Sequence, residues 1–348
     1  MSDALTILIC THNRADLLEL ALTSLNAAQR PAMPVQILVA ANACTDDTAV
    51  RMRAYQSQQV SKSWLPLRLI EVPTPGKSHA LNRTIPEIDT ELTAFVDDDH
   101  RVDENYLVAI AHAAQSWPDA GLYCGRILPD WNGTEPAWVH DEGPYRIYPL
   151  PVPRYNQGDQ PKTITAEEGP IPGGGNLVVR RHVFVLAGQF STELGPHGHD
   201  LGGGEDSEYV LRAMIRGVRC QYAPNIIQHH YVDIDRLKLS YLLKKSFQRT
   251  RSTSRIQGNG RIPLYMWRKL AEYGFHSVFS RSWAKRRFYW MRTAAALGEL
   301  QGRRESGYRG KNLSLPPDHG ILLITVLAIS TITCGLIAWF ASDSARWA

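Results

Sequence analysis

Three consecutive aspartates, Asp97, Asp98 and Asp99, close the apolar run LTAFV at 92–96. Adjacent carboxylates repel one another, which costs stability unless a cation or several donors compensate. In an extended segment alternate side chains project to one side, so Asp97 and Asp99 can converge. Two such carboxylates, together with phosphate oxygens, suit a hard divalent ion such as Mg²⁺ or Mn²⁺. The competing reading is an acidic turn that caps a helix ahead at Asn105-Tyr106-Leu107. A second acidic pair, Glu205-Asp206, follows Gly202-Gly203-Gly204 and precedes SEYVLRAMIRG. The dipole favours carboxylates in the first turn of a helix, and one placed there can serve as a general base. An ordinary glycine loop with an acidic first turn has the same sequence. Gly173-Gly174-Gly175-Asn176 follows Pro170 and Pro172. It either lets the backbone approach a neighbour closely or forms a flexible turn. His229-His230 ends the strand-like VRCQYAPNIIQ. A histidine there, His229 first with His230 as the other candidate, is either a third metal ligand or a satisfied core imidazole.

These residues need elements to position them. LTILIC at 5–10 is a short apolar run ending in the polar Thr11-His12-Asn13-Arg14. ADLLELALTSLNAA carries a helical pattern through Leu17, Leu18, Leu20, Ala21, Leu22 and Leu25, and Pro31 and Pro34 break the chain after it. VQILVAA at 35–41, LRLIEV at 67–72 and LTAFV at 92–96 read as further strands. The loop at 42–48 offers Thr45 or Asp46 as the N-cap of a second helix. This alternation predicts an α/β fold, a mostly parallel sheet flanked by helices. Ligands bind such sheets beyond the carboxyl ends of the strands. The polar clusters at 11–14, 42–48 and 97–99 lie at three such ends. Nine of the 21 prolines fall between 129 and 172. That stretch reads as a long irregular excursion, either an acceptor-binding lid or a surface insertion.

Taken in order, LICTHNRADLLELALTSL, VAANACTDDT, PGKSHALNRTI, FVDDDHRVDENYL, PGGGNLVVRR, GGGEDSEYVLRAMIRG and QHH make residues 1–231 resemble a family 2 glycosyltransferase with the GT-A nucleotide-sugar fold. The resemblance extends to bacterial enzymes that build cell-surface saccharides or glycolipids. It implies that Thr11, Asn13, Arg14, Asn42, Asp46, Lys77 and Asn82 face the nucleotide. It implies that Asp97, Asp98 and Asp99 form the DxD-type element, with Asp97 and Asp98 toward the nucleotide sugar and Asp97 and Asp99 toward a Mn²⁺ or Mg²⁺ ion. It also implies that Gly174, Gly175 and Asn176 meet the donor, that Asp206 is the catalytic base, and that Glu205 beside it contacts a sugar. Many members carry an acidic residue where this chain has Ala41, so no uracil specificity is implied. The implied reaction is a single displacement that inverts the anomeric carbon of a nucleotide sugar.

Composition sets the surroundings. With 44% hydrophobic and 21% charged residues, the chain is not disordered as a whole. Five scattered cysteines (Cys10, Cys44, Cys124, Cys220 and Cys334) exclude a disulfide scaffold and a zinc knuckle, and fit a reducing compartment. MSDALTILIC has neither the basic start nor the apolar stretch of a signal peptide. The net charge of +4 conceals an asymmetry: 18 basic against 29 acidic residues up to 235, then 19 basic against 3 acidic in 236–311. Such density faces an anionic membrane or nucleic acid. The following segment decides against nucleic acid. ILLITVLAISTITCGLIAWFA at 321–341 has 21 uncharged residues, and as a helix it would reach about 31 Å, enough to cross a bilayer. Basic residues precede it, so the positive-inside rule places residues 1–317 in the cytoplasm, with Trp339 and Trp347 as interface anchors. The sequons at Asn132 and Asn312 then read as chance.

The expected layout is a catalytic domain at 1–235 (nucleotide-binding half 1–105, acceptor and catalytic half 106–235). A basic, aromatic-rich interfacial helical region follows at 236–317, and a single-pass anchor with a short tail at 318–348. The expected function is metal-assisted sugar transfer to an amphiphilic, lipid-linked or glycolipid acceptor. The alternatives are a soluble or polysaccharide acceptor, or an inactive membrane scaffold of the same fold.

Overall fold

The computed structural model describes residues 4–147, 150, 152–167, 170–192, 205–257 and 262–308. The first strand, β1 (Leu5–Thr11), shows why its sequence is apolar throughout: Leu5, Ile7 and Ile9 enter one core cluster and Leu8 the other, so both faces are covered. β1 is followed by α1 (Ala15–Ala27), whose Leu18, Leu22 and Leu25 stripe packs into the first cluster. Next come β2 (Val35–Asn42), α2 (Thr48–Gln58), β3 (Leu67–Val72), α3 (Lys77–Thr84) and β4 (Leu92–Phe95). The strands β3, β2, β1 and β4 are parallel neighbours. Their carboxyl ends therefore share one edge.

Beyond β4 the sheet changes character. β5 (His100–Val102), α4 (Tyr106–Ser116), β6 (Ala120–Asp130), β7 (Lys162–Ile164), β8 (Leu177–Arg180), α5 (Arg181–Ala187), α6 (Glu205–Ile215) and β9 (Arg219–Tyr231) complete it. β8 enters antiparallel between β4 and β6, and β9 lies parallel to β6 but antiparallel to β5 and β7. The sheet is thus mixed rather than mostly parallel. The cause is connectivity, because the chain returns after the proline-rich excursion and inserts β8 from the opposite direction. Leu81, Phe95, Leu177, Val179, Tyr209 and Tyr222 build the second core cluster, on the face opposite α1 and α4.

Two local expectations change. α2 begins at Thr48 rather than after a Thr45 or Asp46 cap, although Asp46 Oδ1 does accept from the Thr48 amide at 3.1 Å. Asp97–Asp99 do not cap α4, since β5 intervenes and Asn105 is the N-cap.

The chain divides into two units, Met1–Gly133 with Val152–Val232, and Thr134–Pro151 with the chain from Asp233 onward. The proline-rich excursion is therefore shared: its first half keeps company with the C-terminal helices, and its second half returns to the sheet. In the second unit Arg287 pairs with Asp141, 2.5 Å apart, and Phe288 packs against Tyr145. Its helices are α7 (Leu239–Gln257), α8 (Tyr265–Phe279) and α9 (Trp283–Tyr308). Gly298 and Gly302 let α9 approach α7 so closely that a Cβ at either would collide with the carbonyl of Phe247 or Arg251. Thr250 Oγ1 then donates to the Ala295 carbonyl at 2.7 Å. No helix among the described residues is long and apolar enough to cross a membrane. The segment at 321–341, on which the expected anchor rests, lies outside them, as does the glycine loop at 201–204.

Candidate active site

The site forms where β4 ends, β5 begins, β9 ends and α6 starts. Asp97 to Asp99 follow β4, and the β5–β9 pairing sets His100 opposite His230. Two acids flank the His100 ring: its Nε2 lies 4.0 Å from Asp97 Oδ2 and 3.9 Å from Asp99 Oδ1. His230 Nε2 lies 3.7 Å from Asp99 Oδ2. One atom each from Asp99, His100 and His230 falls within 4.8 Å of the others.

Hydrogen bonding fixes the histidine tautomers. Asn176 donates through Nδ2 to the carbonyls of Arg126 (2.8 Å) and Ile226 (3.0 Å), so its Oδ1 must face Gln228 Nε2. Gln228 Nε2 also donates to the Phe95 carbonyl, which leaves Gln228 Oε1 toward His100 Nδ1 at 2.5 Å. An amide oxygen only accepts, so His100 carries a proton on Nδ1 and Nε2 is the ring atom turned to the acids. His230 Nδ1 likewise donates to the Tyr231 carbonyl at 2.5 Å. Both Nε2 atoms thus point at the aspartates, each ring oriented by an acceptor behind it, as in metal-binding histidines. Burial holds the His230 pKa below the ordinary value, which keeps the imidazole neutral and able to ligate.

The opposing cations come from α3 and the β1–α1 turn. Lys77 Nζ lies 3.1 Å from Asp97 Oδ1 and 3.3 Å from Asp206 Oδ2. Burial opposes its charge, but Asp206 and Asp97 outweigh that and hold its pKa well above the lysine norm. Burial likewise opposes ionisation of Asp97, yet Lys77 draws its pKa down to about 2. Arg14 Nη1 bridges Asp98 Oδ1 (3.1 Å) and Asp99 Oδ2 (3.0 Å). Burial, then Asp99, pushes Asp98 up to about 6 against that pull. Burial and Asp206 also raise Glu205. Among the described residues, five carboxylates here meet two fixed cations. This surplus of negative charge suits a divalent ion, and the two imidazoles lie where they could supply ligands to one.

The glycines make the convergence possible. A Cβ on Gly174 would collide with the Asp206 carboxylate, and one on Gly175 would come within 2.7 Å of Asp97 Oδ2. Gly174–Asn176 form a 3-10 turn that touches both acids through backbone alone.

The other residues singled out in sequence are placed differently. His229 faces the opposite side of β9, beside Arg101 and Asp130, because strand neighbours alternate. It therefore does not join Asp99, and His230 does. Asn176 is buried, and its side-chain amide bonds to the Arg126 and Ile226 carbonyls and to Gln228, so it braces Gln228. Asn82 pairs both ways with the Phe190 backbone, at 2.8 Å each. Asn42 donates to the Thr74 carbonyl and accepts from the Gly76 amide at 2.8 Å, which fixes the turn that launches Lys77. Asn13, at φ 53°, accepts from the amides of Thr45 (2.7 Å) and Asp46 (3.2 Å). Asp46 Oδ2 in turn accepts from the Ala15 amide. The pair staples the β1 and β2 loops together. Thr11 ends β1, buried at their base. Sequence reasoning passed over His100 and Gln228, and left open whether His229 or His230 is the ligand. The available signal was the two-residue period Gln228-x-His230, with a histidine directly after the third aspartate.

Residues 6–184 match the family described as Glycosyl transferase family 2, just over half of the chain. The chain is 22% identical over 251 residues to the succinoglycan biosynthesis protein ExoM of Rhizobium meliloti (strain 1021), covering 71% of this chain and 73% of that protein. It is similar in fold to S. aureus TarS 1-349 in complex with UDP (TM-score 0.51, 17% identity, 92% of this chain and 95% of that one). The complex of the same protein with UDP-GlcNAc gives TM-score 0.51 and 16% identity over the same shares. The family match spans Lys77, the three aspartates and the glycine turn, and the sheet that presents them is the GT-A type; this chain belongs to glycosyl transferase family 2 and is a glycosyltransferase.

Proposed function

We propose that the protein transfers a sugar from a nucleotide-sugar donor to a hydroxyl of an amphiphilic acceptor, inverting the anomeric carbon. The observation that carries this is the convergence of Asp99, His100 and His230 beside the Lys77–Asp206 pair. Asp99, His100 and His230 would hold a divalent ion, and the two imidazoles favour Mn²⁺ over Mg²⁺. Such an ion neutralises the diphosphate leaving group. Arg14, spanning Asp98 and Asp99, keeps that pair oriented, and the stapled loops at Asn13 and Asp46 line the nucleotide side. Lys77 holds one oxygen of Asp206, leaving the other for the acceptor. Asp206 takes the proton of the acceptor hydroxyl, its oxygen bonds to the anomeric carbon, and the bond to the diphosphate breaks with its electron pair on the departing oxygen. A positioned base of this kind supplies roughly 10²–10⁴-fold. Glu205, raised by burial, accompanies Asp206 at the sugar.

UDP and UDP-GlcNAc in the TarS complexes make a UDP-linked sugar the first donor to test. The role of ExoM in succinoglycan biosynthesis supports a saccharide as the reactive part of the acceptor. The amphiphilic character rests on the segment at 321–341, proposed as a single-pass anchor that leaves residues 1–317 on the cytoplasmic face. The domain layout proposed is the one the sequence suggests: catalytic at 1–235, interfacial at 236–317, anchor at 318–348. Transfer assayed with Asp206→Asn tests the mechanism. Loss of transfer with donor binding kept supports it, and near-wild-type transfer refutes the base.

A further inference from the structure

Helix α8 in the second unit is amphipathic with its apolar side outward. Its inner arc holds Met266, Tyr273 and Ser277, and Lys269 pairs with Glu299 at 3.3 Å. Its outer arc, beginning at Leu264, carries Trp267, Ala271, Phe275, Val278 and Phe279, spaced three and four residues apart along one face. The five large side chains are 48–87% exposed. The Phe275 and Phe279 rings touch at a tilt of 36° with centroids 4.9 Å apart, and Trp283 extends the stripe into α9 at 51% exposure. A soluble surface seldom shows so continuous an apolar face.

Charge tells which partner fits. Only three acids lie in 236–311 against 19 basic residues. Two of the three are consumed internally: Glu299 pairs with Lys269 and Arg303, and Glu305 with Arg251 at 2.7 Å. Glu272 is the third, on the rim of the arc. Arg268, Arg281 and Arg292 are exposed. An apolar, aromatic stripe within a cationic surface is the chemistry of a helix lying in a headgroup layer. We propose that the outer face of α8, from Leu264 to Phe279 and on to Trp283, docks into the surface of a bilayer carrying anionic lipid. This docking is carried by residues 262–308 alone and stands whatever the donor sugar is.

The test places a nitroxide at position 271, 275 or 278 of the full-length chain, on a keto amino acid that spares the native cysteines, with position 60 of the catalytic unit as an exposed control. The protein is reconstituted in phosphatidylcholine vesicles with and without phosphatidylglycerol. With the anionic lipid, the α8 labels are expected to be reached by oxygen and shielded from an aqueous nickel chelate, while the label at 60 stays open to the chelate. Without it, they lie shallower and the chelate reaches them more. Labels on α8 as open to the chelate as position 60 would overturn the docking. Labels shielded from both probes, or broadened by a second spin, would mean that protein covers the stripe and would overturn it equally. Equal protection in both vesicles would remove the role of the basic residues. The double variant Trp267→Ser/Phe275→Ser should open position 278 to the chelate while transfer to a soluble acceptor analogue is retained.

Discussion

The acid–histidine cluster, at the end of β4, the start of β5 and the end of β9, and the amide framework of Asn42, Asn82, Asn176 and Gln228 around it are used in opposite ways. The framework amides spend their polar atoms mainly on backbone carbonyls and amides and on one another, at 2.7–3.1 Å, and Gln228 also accepts from His100. In the cluster, acids and imidazoles approach to 3.7–4.0 Å without bonding, and their polar atoms converge on shared space. A fold gains by satisfying buried polar groups. Groups held close but unsatisfied are therefore the ones arranged for something that binds. Changes to the cluster should cost activity with little loss of stability, and changes to the framework the reverse.

The largest effect expected is at Asp206. Asp206→Asn should lower turnover by roughly 10²–10⁴-fold, with donor affinity by calorimetry little changed and the melting temperature preserved. His230→Ala comes next. It removes a metal ligand, and Mn²⁺ affinity should fall by more than the roughly 10–100-fold that loss of an orienting partner costs. His229→Ala should leave Mn²⁺ affinity unchanged, and an equal loss in the two variants would erase the distinction drawn between the strand faces. Gly174→Ala should displace the Asp206 carboxylate, and a shift of that kind costs on the order of 10²-fold in turnover. Circular dichroism should show the fold retained. Smallest in activity is Asn82→Ala. It leaves the amide and carbonyl of Phe190 without their partner, so unfolding by denaturant should show about 1–3 kcal/mol lost, while turnover per folded molecule stays at the wild-type level. Lost turnover there would return Asn82 to the donor site.

Much of this was legible in the chain. The apolar runs at 5–10, 35–41 and 92–96 mark three strands because both sheet faces are covered there, LRLIEV at 67–72 marks the edge strand with Arg68 and Glu71 exposed, and the polar residues after the three apolar runs mark the binding edge. The acids at 97–99 and 205–206 draw attention by their mutual repulsion, although each also has a capping or first-turn reading in the sequence. Less legible was what depends on strand partners distant in sequence. Which of His229 and His230 joins the acids is set by register against β5, and the two-residue period with Gln228 becomes readable only once that register is known. The antiparallel insertion of β8 depends on where a chain returns after some 40 irregular residues. Asn82 and Asn176 look alike in sequence whether they meet a ligand or a carbonyl. In the second unit Gly298 and Gly302 stand four apart on α9, the spacing that lets α7 lie close, a pattern that is readable once the helix is known.

The central claim is a divalent ion held by Asp99, His100 and His230 under a nucleotide diphosphate. It is tested most directly by calorimetry of the full-length protein against a panel of nucleoside diphosphates beginning with UDP, in Mn²⁺ and in EDTA, with His230→Ala beside the wild type. The account predicts that one nucleotide binds the wild type in Mn²⁺ and that this binding is lost both in EDTA and in His230→Ala. Equal affinity with and without the metal, or no binding across the panel by folded protein, would contradict it.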